Sequence, residues 1–142
     1  MRLLVDLNVV LDVLLDRAPH APASAELWRA IEEREAEGLL SAHAVTTLHY
    51  LAVRARGKSF GEQCVRDVLT VFGIAAVDGP VIEHALGLGF VDFEDAVCVA
   101  AAIAAGCDAI VSRDAVGFRA APLPVLDPAG AAGALRVSRG NA

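Results

Sequence analysis

The chain has 142 residues, 56% of them apolar and 5% aromatic, with a formal net charge of −6. That length fits one domain with a real hydrophobic core, and the Ala-, Val- and Leu-rich interior suits helices on a buried sheet better than an aromatic-rich β-barrel. The charge counts against passive binding of a nucleic-acid backbone, but not against a nuclease, whose ligand acids are neutralised locally by cations.

Residues 3–5, Leu-Leu-Val, read as a short, fully covered strand that ends at Asp6. Asp6-Leu7-Asn8 turns the chain into a helix with Val9, Val10, Val13 and Leu14 at helical spacing and Asp12 and Asp16 on other faces. Pro19 and Pro22 break it. A second helix is expected from Ser24 to about Glu37, with a solvated face around residues 32–35 and a stop at Gly38. Residues 39–41 are a second strand and 45–56 a third helix. Ser59 with Glu62 reads as a capping box for a fourth helix, ended by Gly73. Residues 74–77 are a third strand, and Pro80 begins a fifth helix closed by Gly87 and Gly89. An Ala-rich helix over 94–105 follows, then a fourth strand at 109–111 and a last apolar stretch at Val125-Leu126.

Alternating strands and helices predict an α/β fold with a mainly parallel sheet of four to five strands and helices on both faces, a three-layer α/β/α sandwich. One domain is expected over residues 1–127, followed by an Ala/Gly-rich tail over 128–142 with one short helix at 129–135. The cysteines, Cys64, Cys98 and Cys107, are isolated and without metal-ligand spacing, as expected of buried thiols in a reducing cytosol. Asp6, Asp12 and Asp16 interrupt the N-terminal apolar run before it resembles a signal peptide, and no apolar run approaches a membrane span. A cytoplasmic protein is expected.

The acids carry the chemistry. In open parallel α/β folds ligands gather beyond the carboxyl ends of strands. Asp6 follows the first strand and Asp114 the fourth. Asp95 starts the helix leading into that fourth strand, within Asp92-Phe93-Glu94-Asp95-Ala96, which places three acids in four positions. Asp92 lies one helical turn from Asp95. Carboxylates brought this close require a cation or a proton. Oxygen-only donors favour Mg²⁺ or Mn²⁺ over zinc, and phosphodiester hydrolysis is the reaction that suits them best. Each acid taken alone also reads as a turn former or N-cap, Asp92 and Glu94 as helix-dipole acids, and Arg113 as a surface charge or a phosphate contact.

Together these segments resemble the PIN domain. Leu3-Leu4-Val5-Asp6-Leu7-Asn8 is similar to that family's opening strand and Asp-x-Asn turn, and Ser41 to Leu48 to its second strand and following helix. Asp92 to Ala96 is similar to its third acidic motif, and Ile110-Val111-Ser112-Arg113-Asp114 with Phe118 to its last. The resemblance implies a Mg²⁺- or Mn²⁺-dependent endoribonuclease. In small bacterial members it implies a VapC-like toxin held by an antitoxin. Asp6, Asp95 and Asp114 match catalytic, metal-holding acids, with Asp92 as a further metal candidate and Asn8 and Ser112 in support. The family's fourth acid, a Glu in the helix after the second strand, is absent, since no acid lies between Ser41 and Gly61. Gly117 also stands where the family often has Asp.

Arg54, Arg56, Lys58, Arg113 and Arg119 are candidate RNA contacts, and the apolar helical surface suggests a homodimer or an antitoxin groove. The missing acid motivates a second expectation, a catalytically weak PIN-like protein that works by binding a protein or RNA partner. A phosphohydrolase of the haloacid dehalogenase type ranks below both. Asn8 replaces its second Asp, and Lys58 is the only lysine.

Overall fold

A computed structural model describes residues 1–141. Five strands form a single parallel sheet. They are β1 (Arg2–Val5), β2 (Glu37–Ser41), β3 (Gly73–Ala75), β4 (Ala109–Val111) and β5 (Val125–Leu126), in the order β3-β2-β1-β4-β5. Seven helices connect or follow them: α1 (Leu7–Leu14), α2 (Ala21–Glu32), α3 (Ala42–Arg56), α4 (Lys58–Val71), α5 (Gly79–Leu86), α6 (Phe93–Ala104) and α7 (Pro128–Gly140).

Strand alternation sorts the core into two layers. Leu3, Val5, Leu40, Ala109 and Val111 face one side, where they meet α1 through Val9 and Val10, α2 through Leu27 and Ile31, α3 through Leu48 and α4 through Val68. Leu4, Leu39 and Ile110 face the other side and meet α5 through Val81 and α6 through its buried run from Ala96 to Ala102. The small side chains of α6 let that helix lie close on the sheet. The result is the α/β/α sandwich expected from the alternation of elements.

Several boundaries differ from the sequence expectation. Helix α2 begins at Ala21, before Ser24, because Pro22 falls in its first turn, where a missing N–H costs no helical bond. It stops at Glu32, and Arg34 takes a left-handed φ of 63° that ends the helix and frees the chain to enter β2. The capping box at Ser59 does not form. Gly57, with φ 90°, is the N-cap of α4, and Ser59 lies inside the first turn. The C-terminal helix is longer than residues 129–135, and its Ala131 and Leu135 join the same core layer as Leu27 of α2. Among the described residues, no helix is long and apolar enough to cross a membrane.

The order of strands positions the site. From β1 the chain steps to β2 and β3 on one side, and later returns to β4 and β5 on the other. The crevice beyond the carboxyl ends of β1 and β4 is the switch point where such folds collect ligands. Val5 pairs with Val111 there, and Asp6 N donates to Val111 O at 2.8 Å.

Candidate functional site

Asp6 and Ser112 leave adjacent strands side by side. Ser112 Oγ donates to Asp6 Oδ2 at 2.9 Å and accepts from Asp114 N at 3.0 Å, so one hydroxyl ties the first acid to the turn carrying the last. Ser112 is buried. Burial pushes the Asp6 carboxyl above the usual carboxylate range, and the nearby Asp114 adds to this. The Ser112 hydrogen bond, the Leu7 N–H and Arg113 act the other way.

The third acid comes from α6. Asp92 is the N-cap of that helix, and its Oδ1 accepts from Asp95 N at 3.2 Å. Asp95 is pushed up to about 6, by burial first and then by Asp92, Asp6, Asp114 and Glu94. All four of those neighbours are negative. Asp92, Asp95 and Asp114 line a cleft of about 310 Å³ together with Phe90, Gly117 and Arg119. Its lining includes the exposed apolar side chains of Val91 and Val116.

One turn along α6, Cys98 Sγ lies 3.4 Å from Ser41 Oγ and 3.9 Å from His43 Nε2. Burial pushes this thiol up to about 12, opposed by its contact with Ser41 and raised further by Asp6, Asp95 and Glu94. The opening of α3, where the resemblance expects an acid nearby, thus approaches α6 through a serine and a histidine. Nothing in the spacing of His43 singled it out.

The remaining candidates are placed as follows. Arg113 grips Asp12, with Nε at 2.6 Å from Oδ2 and Nη2 at 3.2 Å from Oδ1. Asp12 is fully buried. Arg17 Nε also stands 2.9 Å from Asp12 Oδ1, out of line for a hydrogen bond, while Arg17 Nη2 donates to the Asn8 carbonyl and Oδ1 at 3.0 and 3.3 Å. Asn8 is therefore held by Arg17. Sequence reasoning missed this brace because Asn8 and Asp12, four apart, look like the solvated stripe of α1. Arg119 lines the cleft, and Arg54, Arg56 and Lys58 are exposed at the α3–α4 corner.

Asp6 and Asp114 lie close enough to Asp95 to raise its proton affinity, and Asp114 does the same to Asp6. Among the described residues, however, no three His, Cys, Asp or Glu side chains are arranged to hold a metal ion. The carboxylate set as it stands does not fit a cation.

The family model of the PIN domain matches residues 2–115. Among solved structures, VapBC2 from Rickettsia felis, bound to a DNA fragment from its promoter, is similar at 13% identity and a TM-score of 0.71, over 89% of this chain and 98% of that one. FitAcB from Neisseria gonorrhoeae aligns at 20% identity and 0.69, over 89% and 97%. VapC20 from Mycobacterium tuberculosis, described as a toxin that cleaves the sarcin–ricin loop, aligns at 18% identity and 0.69, over 85% and 95%. These likenesses concern the fold. No curated protein matches the chain.

Proposed function

Because the chain belongs to the PIN-domain family, we propose that it is the PIN component of a toxin–antitoxin-like pair, acting by binding a protein partner, with a weak capacity for metal-dependent RNA cleavage. The observation that supports this reading is the cleft around Asp95, where four acids raise its proton affinity and no three donors are arranged for a cation. Such a cleft repels a phosphate backbone, since like charges in a partly desolvated site interact strongly. It suits a partner segment that brings cations to the acids and apolar side chains to the rim at Val91 and Val116. The absence of an acid between Ser41 and Gly61 points the same way.

A divalent-cation-dependent endoribonuclease is the second reading. It is favoured by the convergence of Asp6, Asp95 and Asp114 at the switch point, with Ser112 bridging two of them. Mg²⁺ or Mn²⁺ would be its cofactor and RNA its substrate.

Calorimetric titration of Mn²⁺ together with an assay on labelled RNA separates the two. The first reading expects no uptake below millimolar cation, and slow cleavage only where cation reaches that level. Micromolar uptake, with cleavage that disappears in Asp95→Asn while the circular dichroism spectrum is kept, would sink it in favour of the second.

A further inference from the structure

Residues 114–117 close a tight turn just beyond β4. Asp114 Oδ1 accepts from Gly117 N at 2.9 Å, and the Asp114 carbonyl accepts from Phe118 N at 3.2 Å. The carboxylate is folded back over its own turn as a cap. There is room for it only because residue 117 has no side chain. A Cβ at Gly117 would stand 2.3 Å from Asp114 Oδ2 and 2.8 Å from its Cγ. Gly117 does not adopt a left-handed φ, so the backbone does not require glycine there. The turn is anchored by Phe118, which is buried and packs edge-on against Phe90 with ring centroids 6.1 Å apart. A side chain at 117 would therefore displace the carboxylate before it moved the backbone.

We infer that Gly117 keeps Asp114 turned out of a common donor set with Asp6 and Asp95, and so sets the low affinity of the cleft for divalent cations. The inference rests on the weak-cation reading above and supplies a cause for it within this chain. Asp6 is held at the bridge by Ser112, and Asp95 faces the same cleft that Asp114 lines. Asp114 is the acid whose orientation remains to be changed. Rotating the carboxylate into a common set with Asp6 and Asp95 gives up its cap on Gly117, and a cap of ordinary strength corresponds to about a five-fold factor in an equilibrium constant. Alanine at 117 removes the capped arrangement from the start, so the cation no longer competes with it.

The experiment is calorimetric titration of MnCl₂ into the full chain, the Gly117→Ala variant and the double variant Gly117→Ala with Asp114→Asn. Gly117→Ala is expected to bind Mn²⁺ about five-fold more tightly than the parent, and the double variant is expected to lose that gain. Equal or weaker binding by Gly117→Ala overturns the inference, as does a gain that persists in the double variant or no uptake by any form at millimolar Mn²⁺. Amide exchange at residue 117 provides a metal-free check. It should accelerate in Gly117→Ala, because the N–H loses its carboxylate acceptor, and unchanged protection also overturns the inference. Tight Mn²⁺ binding by the parent protein would sink the weak-cation reading alone, since the ratio between parent and Gly117→Ala still measures what Gly117 does.

Discussion

Two acid sites lie at the carboxyl edge of the sheet, and the chain treats them in opposite ways. Asp12 on α1 is fully buried and meets two guanidiniums, Arg113 on its Oδ2 and Arg17 on its Oδ1. Asp95 on α6 is only partly buried and has Asp92, Asp6, Asp114 and Glu94 around it, with no arginine or lysine among the groups that shift it. The more deeply buried acid is the better neutralised. A buried charge without a partner costs several kcal/mol, so the fold must answer it from within. An acid at the mouth of a cleft can remain unanswered at smaller cost, and its charge is left for something outside the chain. The first arrangement is a brace between α1 and the β4 turn. The second is the candidate site.

The largest expected effect breaks the first arrangement. Asp12→Ala leaves Arg113 and Arg17 facing an apolar gap and unties the turn that carries Ser112 and Asp114. The loss of stability is expected to be about 3 kcal/mol, at the low end for a broken buried pair because both arginines keep access to water. Urea denaturation of the two proteins measures it. A change below about 0.5 kcal/mol, the scale of an ordinary surface substitution, would mean that the brace contributes nothing.

The second expected effect has the opposite sign. Asp95 has a folded-state pKa of about 6 against an unperturbed 3.8, so the folded protein prefers its neutral form. Between these values the folded state binds more protons than the unfolded state, and stability falls as pH rises through the window. Above about 6 the penalty is complete. Asp95→Asn removes it, and the variant is expected to be more stable than the parent by about 1 kcal/mol at pH 8, a figure reduced for solvent screening. The advantage should shrink as pH falls from 6 toward 4. Thermal melts of both proteins at pH 8 and pH 4.5 test this. A variant less stable than the parent at pH 8 would show that the carboxylate has a cationic partner, and the contrast with Asp12 would collapse.

How much of this was legible in the sequence follows from the range of the interactions involved. Leu3-Leu4-Val5 followed by Asp6, and Ala109-Ile110-Val111 followed by Ser112 and Asp114, are local signals, and they located the strands and the sheet edge on which the acids were expected to gather. Helix ends were less legible, because a left-handed Arg34 or a glycine N-cap at Gly57 leaves little trace in composition. The pairing of Asp12 with Arg113 spans 101 positions and was not legible at all. The rotamer of Asp114 was equally hidden. Gly117 was visible as a departure from the PIN pattern, but only its contact with the Asp114 carboxylate says what the departure does.

The smallest expected effect concerns the cations that the fold leaves unused. Seven of the twelve Lys and Arg side chains are paired with carboxylates, whereas Arg54, Arg56 and Lys58 have no such partner among the described residues. Arg54 and Arg56 lie in the last turn of α3, where the helix dipole favours them, and they stack over Tyr50 and Phe60 at 5.7 and 5.1 Å. The dipole does not explain Lys58, which opens α4 at the end where a cation is disfavoured. Fifteen helical residues of α3 separate this corner from the sheet edge. At 1.5 Å per residue that is about 22 Å, more than two Debye lengths at physiological salt. The acid cleft therefore cannot cancel the corner's field, and if RNA binds this chain the corner is expected to hold it whether or not the cleft cuts it. Replacing all three cations by alanine should change stability by less than 0.5 kcal/mol. It should also flatten the salt dependence of RNA binding, measured by fluorescence anisotropy with a labelled oligonucleotide, by about 2 in log–log slope for three lost phosphate contacts. An unchanged slope would remove the corner from any RNA path.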